Sequence, residues 1–145
     1  MGILKPMGFD SYAYQIGQFP IANSDLGKIK DGMFCKLNSK QEICVAGAGE
    51  KGFMVLFPKT TNRSGFATLH GAFYVGAYTL HIDEECFDKS KTYNALDTLY
   101  IGADGKLTND SDITSNPIPV AQVLRPKRTI NDKEVLSVTS YVGIV

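Results

Sequence analysis

The stretch Thr98-Leu-Tyr-Ile-Gly-Ala-Asp-Gly-Lys-Leu-Thr108 decides the fold class. A short β-branched and aromatic run meets Gly102-Ala-Asp-Gly105, and apolar character resumes at Lys106-Leu-Thr. Asp104-Gly105 is the strongest hairpin marker in the chain, because Asp hydrogen-bonds its own backbone and Gly supplies the positive φ of a tight turn. The same rhythm extends outward in both directions. Met33-Phe-Cys-Lys-Leu37 and Ile43-Cys-Val-Ala46 flank the polar turn Asn38-Ser-Lys-Gln-Glu42. Phe53-Met-Val-Leu-Phe57 is an apolar run ended by Pro58, and Thr60 to Gly65 has the composition of a loop. Ala72-Phe-Tyr-Val75, Tyr78-Thr-Leu-His-Ile82 and Val120-Ala-Gln-Val-Leu124 continue the series, and the alternating segment Val135 to Val142 closes it. Pro117 and Pro119 fit the lead into an edge strand.

Short strands with turn signals every 8–12 residues predict a mostly β domain, a small barrel or sandwich of antiparallel strands. A short helical turn between Asp83 and Leu96 is the best helix candidate. Residues 1–18 are dotted with glycine and aromatics and show no helical period. They read as an extended N-terminal arm, with the β-domain spanning 19–145.

Composition sets bounds on function. The 145 residues suit one domain, and 43% hydrophobic content is enough for a core. Lys and Arg total 15, as do Asp and Glu, so nothing favours a polyanion and no direct nucleic-acid partner is expected. No apolar run approaches the roughly 20 residues that span a bilayer, so no membrane partner is expected either. The N-terminus lacks the apolar core and cleavage site of a signal peptide. Pro6 breaks the myristoylation pattern that Gly2 would begin. Synthesis in a cytosol follows as an expectation, with Cys35, Cys44 and Cys86 reduced.

Chemical motifs are weak. Gly47-Ala-Gly-Glu-Lys-Gly52 has the G-x-G-x-x-G spacing, but a dinucleotide site needs a helix next. The apolar run 53–57 follows instead, and a glycine loop between antiparallel strands is the better reading. His81, Asp83 and Glu85 would share a strand face, with Cys86 beside them, yet no closed four-ligand spacing is present and no metal or other cofactor is expected. Asn109-Asp-Ser-Asp112 lacks the EF-hand pattern. No nucleophile elbow or Cys/His signature occurs, so no catalytic residues are assigned and the chain is not expected to be an enzyme. Tyr12, Tyr14, Tyr74, Tyr78, Tyr100 and Tyr141 could stack a ligand, but cross-strand pairing explains them more simply.

The order of these elements resembles a known family. Gly71-Ala-Phe-Tyr-Val75 is followed by Leu80-His-Ile82, the Asn94 to Thr108 stretch with its Asp-Gly-Lys-Leu hairpin, Asn116-Pro-Ile-Pro-Val-Ala-Gln-Val-Leu124 and the closing Glu134-Val-Leu-Ser-Val138. Asp31 to Leu37, after Leu26-Gly27, stands where a first barrel strand would. Over residues 26–145 this is similar to the small β-barrel cement, or decoration, proteins of tailed-bacteriophage heads. The chain departs from that pattern in its cysteines and in the acidic Asp83-Glu-Glu85. The resemblance implies a structural virion protein, made in the host cytoplasm and carried on the capsid exterior. It would bind the major capsid protein, bridge neighbouring subunits and act as a homo-oligomer, most simply a trimer. The expected arm contacts with the capsid are Ile3, Leu4, Met7, Phe9, Tyr12 and Tyr14. The alternative is a carbohydrate- or receptor-binding β-domain of a viral fibre or tail.

Overall fold

The computed structural model describes residues 3–7, 13–57, 70–76 and 79–140. Eleven strands occur among them: β1 (Ile3–Met7), β2 (Ala13–Pro20), β3 (Phe34–Leu37), β4 (Ile43–Val45), β5 (Phe53–Leu56), β6 (His70–Gly76), β7 (Thr79–Asp83), β8 (Thr98–Ile101), β9 (Leu107–Thr108), β10 (Ala121–Ile130) and β11 (Lys133–Thr139). They form two sheets, ordered β1-β7-β11-β10-β8-β9 and β2-β6-β5-β3-β4. Every strand pairing is antiparallel. The fold is a small β-sandwich.

Chain order maps simply onto the sheets. Strands β2 to β6 make the second sheet, and β7 to β11 make most of the first. Within segment 1–18 the described residues, 3–7 and 13–18, are strands paired into the sheets. Strand β1 closes one edge of the first sheet against β7, and β2 closes one edge of the second against β6. One connected core cluster takes Leu80, Ile82, Leu99, Ile101, Leu136 and Val138 from the first sheet, and Phe34, Cys35, Ile43, Met54, Val55 and Phe73 from the second. Phe87 and Tyr93, from the irregular segment before β8, fill it further, their rings edge-on at 5.8 Å. That segment carries turns rather than a helix, and the one helical element among the described residues is the 3-10 turn Asn23–Asp25.

Two hairpins fix the registers of the first sheet. Ile101 pairs with Leu107 across the Asp104-Gly105 turn, where Gly105 has φ +83° and Asp104 Oδ1 accepts the Lys106 N–H at 3.2 Å. The β10–β11 hairpin turns on Asn131-Asp132, with φ of 51° and 65°. Positive φ at both central residues is the type I′ geometry whose twist matches the flanking strands.

Two features of the sheets differ from what the sequence indicates. Strand β10 is not an edge strand, because it pairs with β11 on one side and β8 on the other. Pro117 and Pro119 are tolerated because they precede Ala121, the first residue in the ladder. Pro126 lies inside β10 but between breaks in the β11 register and beyond the residues paired to β8, so its missing N–H costs no ladder bond. The glycine loop also does not join antiparallel neighbours. Strands β4 and β5 both flank β3 and run parallel to each other, so residues 46–52 cross over β3. A Cβ on Gly52 would stand 2.7 Å from Ile101 Cδ1 and 3.0 Å from Cys35 O. Glycine is needed there for close approach, not for a phosphate.

Candidate functional site

Asn94-Ala-Leu-Asp97 forms a turn in which the Asp97 N–H donates to Asn94 O at 3.1 Å. Leu96, at its third position, has φ +73°. Glycine or asparagine normally occupies that position, because a left-handed conformation brings Cβ against the following carbonyl at a cost of about 1–2 kcal/mol. The other non-glycine residues with positive φ among the described residues, Gln41, Asn131 and Asp132, are polar turn residues.

The turn is held from several sides. Leu96 N–H donates to Val123 O at 2.8 Å, and Val123 N–H returns a bond to Asp97 O at 2.9 Å. Asp97 Oδ2 accepts from Asn94 N–H at 2.9 Å and from Asn109 Nδ2 at 3.2 Å. Gln122 Nε2 donates to Leu96 O at 3.2 Å. With its backbone so constrained, the Leu96 side chain is still 67% exposed. Burial therefore returns little of the strain, and the arrangement presents an apolar side chain to the outside from a constrained backbone.

A second apolar feature lies on the other sheet. Phe19, Phe73 and Phe53 project from β2, β6 and β5, with ring centroids 5.6 Å apart at each step. With Leu37 and Lys36 they line a shallow groove of about 250 Å³, and Lys51 Nζ lies 5.6 Å over the Phe53 ring. Lys36 is paired with Glu50 at 2.9 Å. A polar cleft of about 500 Å³, whose lining includes Asp88, Lys89, Lys91, Asp104, Lys106 and Asp110, flanks the Asp104-Gly105 hairpin.

The groups singled out by chemistry are dispersed or already engaged. His81 Nδ1 lies 2.6 Å from Ser137 Oγ, and burial followed by the nearby Arg128 and Arg125 charges lowers its pKa. Asp83 is buried, accepts the Glu85 N–H at 3.0 Å through Oδ1 and faces Lys133 at 3.9 Å. Cys86 Sγ donates to Asp31 O at 3.3 Å. Among the described residues, no three His, Cys, Asp or Glu side chains converge as metal ligands. Cys35 and Cys86 are buried and Cys44 is half-buried, all as free thiols. Asn109 to Asp112 close a local turn through Asp110 Oδ1, which accepts the Asp112 N–H.

Of the expected arm contacts, Ile3, Leu4 and Met7 lie on β1 and Tyr14 on β2, so their backbones belong to edge strands of different sheets. Phe9 and Tyr12 lie outside the described residues, as do Tyr78, Tyr141 and the 60–65 loop. Tyr74 and Tyr100 sit in different sheets and make no shared platform. Leu96 has no sequence signature: nothing in Asn-Ala-Leu-Asp marks leucine as the left-handed residue. Comparison with protein-family models, curated proteins and solved structures finds no match to the chain.

Proposed function

We propose that this β-sandwich is a non-catalytic docking domain that decorates the outer surface of an assembled bacteriophage capsid and bridges neighbouring major-capsid subunits. The observation that carries the docking reading is Leu96, an exposed leucine fixed in a left-handed turn by bonds to β10. An apolar anchor on a constrained backbone loses little backbone freedom on binding, so more of its buried area is available to affinity. The capsid as the partner rests on the resemblance in order of hairpins and strands. A repeated lattice suits a small anchor, because a trimer engaging several subunits multiplies modest contacts. The N-terminal residues Ile3, Leu4, Met7, Phe9, Tyr12 and Tyr14 remain proposed contacts. Deleting them is a poor test, since the deletion would also remove strand β1 from the first sheet.

The sharper test is co-sedimentation of the purified full chain with heads that lack it, comparing wild type with Leu96→Ser. The expected result is saturable binding at a fixed ratio to the major capsid protein, lost in the variant while its melting curve stays cooperative. A folded wild-type chain that leaves the heads bare would overturn the capsid reading. Glycan binding in its place would favour the fibre or tail alternative, for which the polar cleft beside the Asp104-Gly105 hairpin offers the hydroxyl and carboxylate groups.

A further inference from the structure

One row of residues crosses three strands of the first sheet. The register sets Arg125 on β10 opposite Ser137 on β11, and Ser137 opposite His81 on β7. Directly opposed residues project to the same face. Their neighbours Leu80, Ile82, Leu136 and Val138 point into the core, so the row lies on the face turned away from it.

Arg128 reaches back over this row from beyond the Pro126 irregularity. Its Nη1 donates to Ser137 Oγ at 3.0 Å and its Nη2 to His81 Nδ1 at 3.2 Å. Guanidinium has only donors, so His81 Nδ1 must be the unprotonated nitrogen and the imidazole is neutral. The half-buried guanidinium therefore rests on two uncharged groups. Burial first, and then the charge of Arg125, lowers the Arg128 pKa. No carboxylate pairs with Arg125 or Arg128 among the described residues. Asp83, two residues along β7 on the same face, accepts the Glu85 N–H through Oδ1, while its Oδ2 lies 3.9 Å from Lys133. The register sets Arg125 opposite Ser137, the residue that Arg128 contacts, so two cationic side chains without a carboxylate partner start from one row, and forked N–H donors match a phosphate oxygen pair.

We propose that Arg125 and Arg128 form a receptor for a phosphate-class oxyanion on the outer face of the first sheet, above the Ser137–His81 pair. The bound anion would accept N–H donors that Arg128 does not direct to Ser137 and His81, together with those of Arg125. This reading is independent of the Leu96 docking surface.

The test is thermal unfolding and calorimetric titration of the full chain with inorganic phosphate against chloride at matched ionic strength and pH. The melting temperature is expected to rise with phosphate concentration, as binding to the native state alone requires. Charge-assisted hydrogen bonds of this kind imply at least about tenfold weaker phosphate binding in Arg125→Gln and in Arg128→Gln. Lys36→Gln, on the other sheet, should bind as wild type does. Arg125 is exposed, so its variant remains informative if Arg128→Gln does not fold. A phosphate monoester should compete with inorganic phosphate, and acetate should not. Equal melting temperatures in phosphate and chloride, retention of the phosphate response in both arginine variants, or an equal response to acetate would each overturn the assignment.

Discussion

Leu96 and Val123 are joined backbone to backbone, Leu96 N–H to Val123 O at 2.8 Å, so an exposed left-handed leucine is anchored to an interior strand of the first sheet. That bond links the turn of Leu96, the one apolar non-glycine residue with positive φ among the described residues, to β10, the longest described strand.

Replacing Leu96 by glycine should separate strain from function. Glycine removes a left-handed penalty of about 1–2 kcal/mol and adds an unfolded-state entropy cost of about 0.5–1 kcal/mol. The variant is therefore expected to be more stable by about 0.5 kcal/mol in urea unfolding, and, if the proposed capsid docking through Leu96 holds, to bind heads no longer. A destabilisation beyond about 1 kcal/mol would mean that the leucine packs for stability instead.

Gly52→Ala should destabilise the sandwich. The added methyl meets Ile101 Cδ1 at 2.7 Å and the Cys35 carbonyl at 3.0 Å, where the 46–52 crossover passes β3. Ile101 can yield, but the backbone of β3 cannot, so a loss of about 1–3 kcal/mol is expected in chemical denaturation. An unchanged midpoint would show that the crossover can lift away from β3.

Stability should fall on mild acidification because of His81. Burial, then the Arg128 and Arg125 charges, hold its native pKa below the ordinary value of 6.5. The unfolded chain therefore binds the proton first, and where it binds more protons stability decreases as pH drops. The loss begins just below about pH 7 and continues until the native imidazole also titrates. In His81→Gln this part of the pH dependence should disappear from a series of denaturant melts. A wild-type slope retained in that variant would move the effect to other groups.

The three cysteines should differ in reactivity. Cys35 and Cys86 are fully buried, and burial drives both thiols well above the ordinary range. Cys44 is half-buried, with its pKa raised first by desolvation. A thiol reagent at neutral pH should label Cys44 alone in the native protein, and slowly, because the thiolate is the nucleophile. All three should react after unfolding. Rapid native labelling of Cys35 or Cys86 would contradict the core packing described above.

The structure legible along the chain is local. Turn residues and period-two runs specify strands and hairpins because φ preferences and alternating burial act over a few residues. The Asp104-Gly105 hairpin, the Asn38–Glu42 turn and the β5 run were legible for that reason. Tertiary structure alone decided the rest. Which strands neighbour one another depends on packing between distant segments, so the interior position of β10 and the crossover of residues 46–52 left no local mark. The same holds for Arg128 over His81 and Ser137, whose chain positions lie 47 and 9 residues away. Leu96 is the clearest case. Its intrinsic preference opposes the left-handed turn, and only hydrogen bonds from β10 and Asn109, together with the fixed Asp97 carboxylate, hold it there.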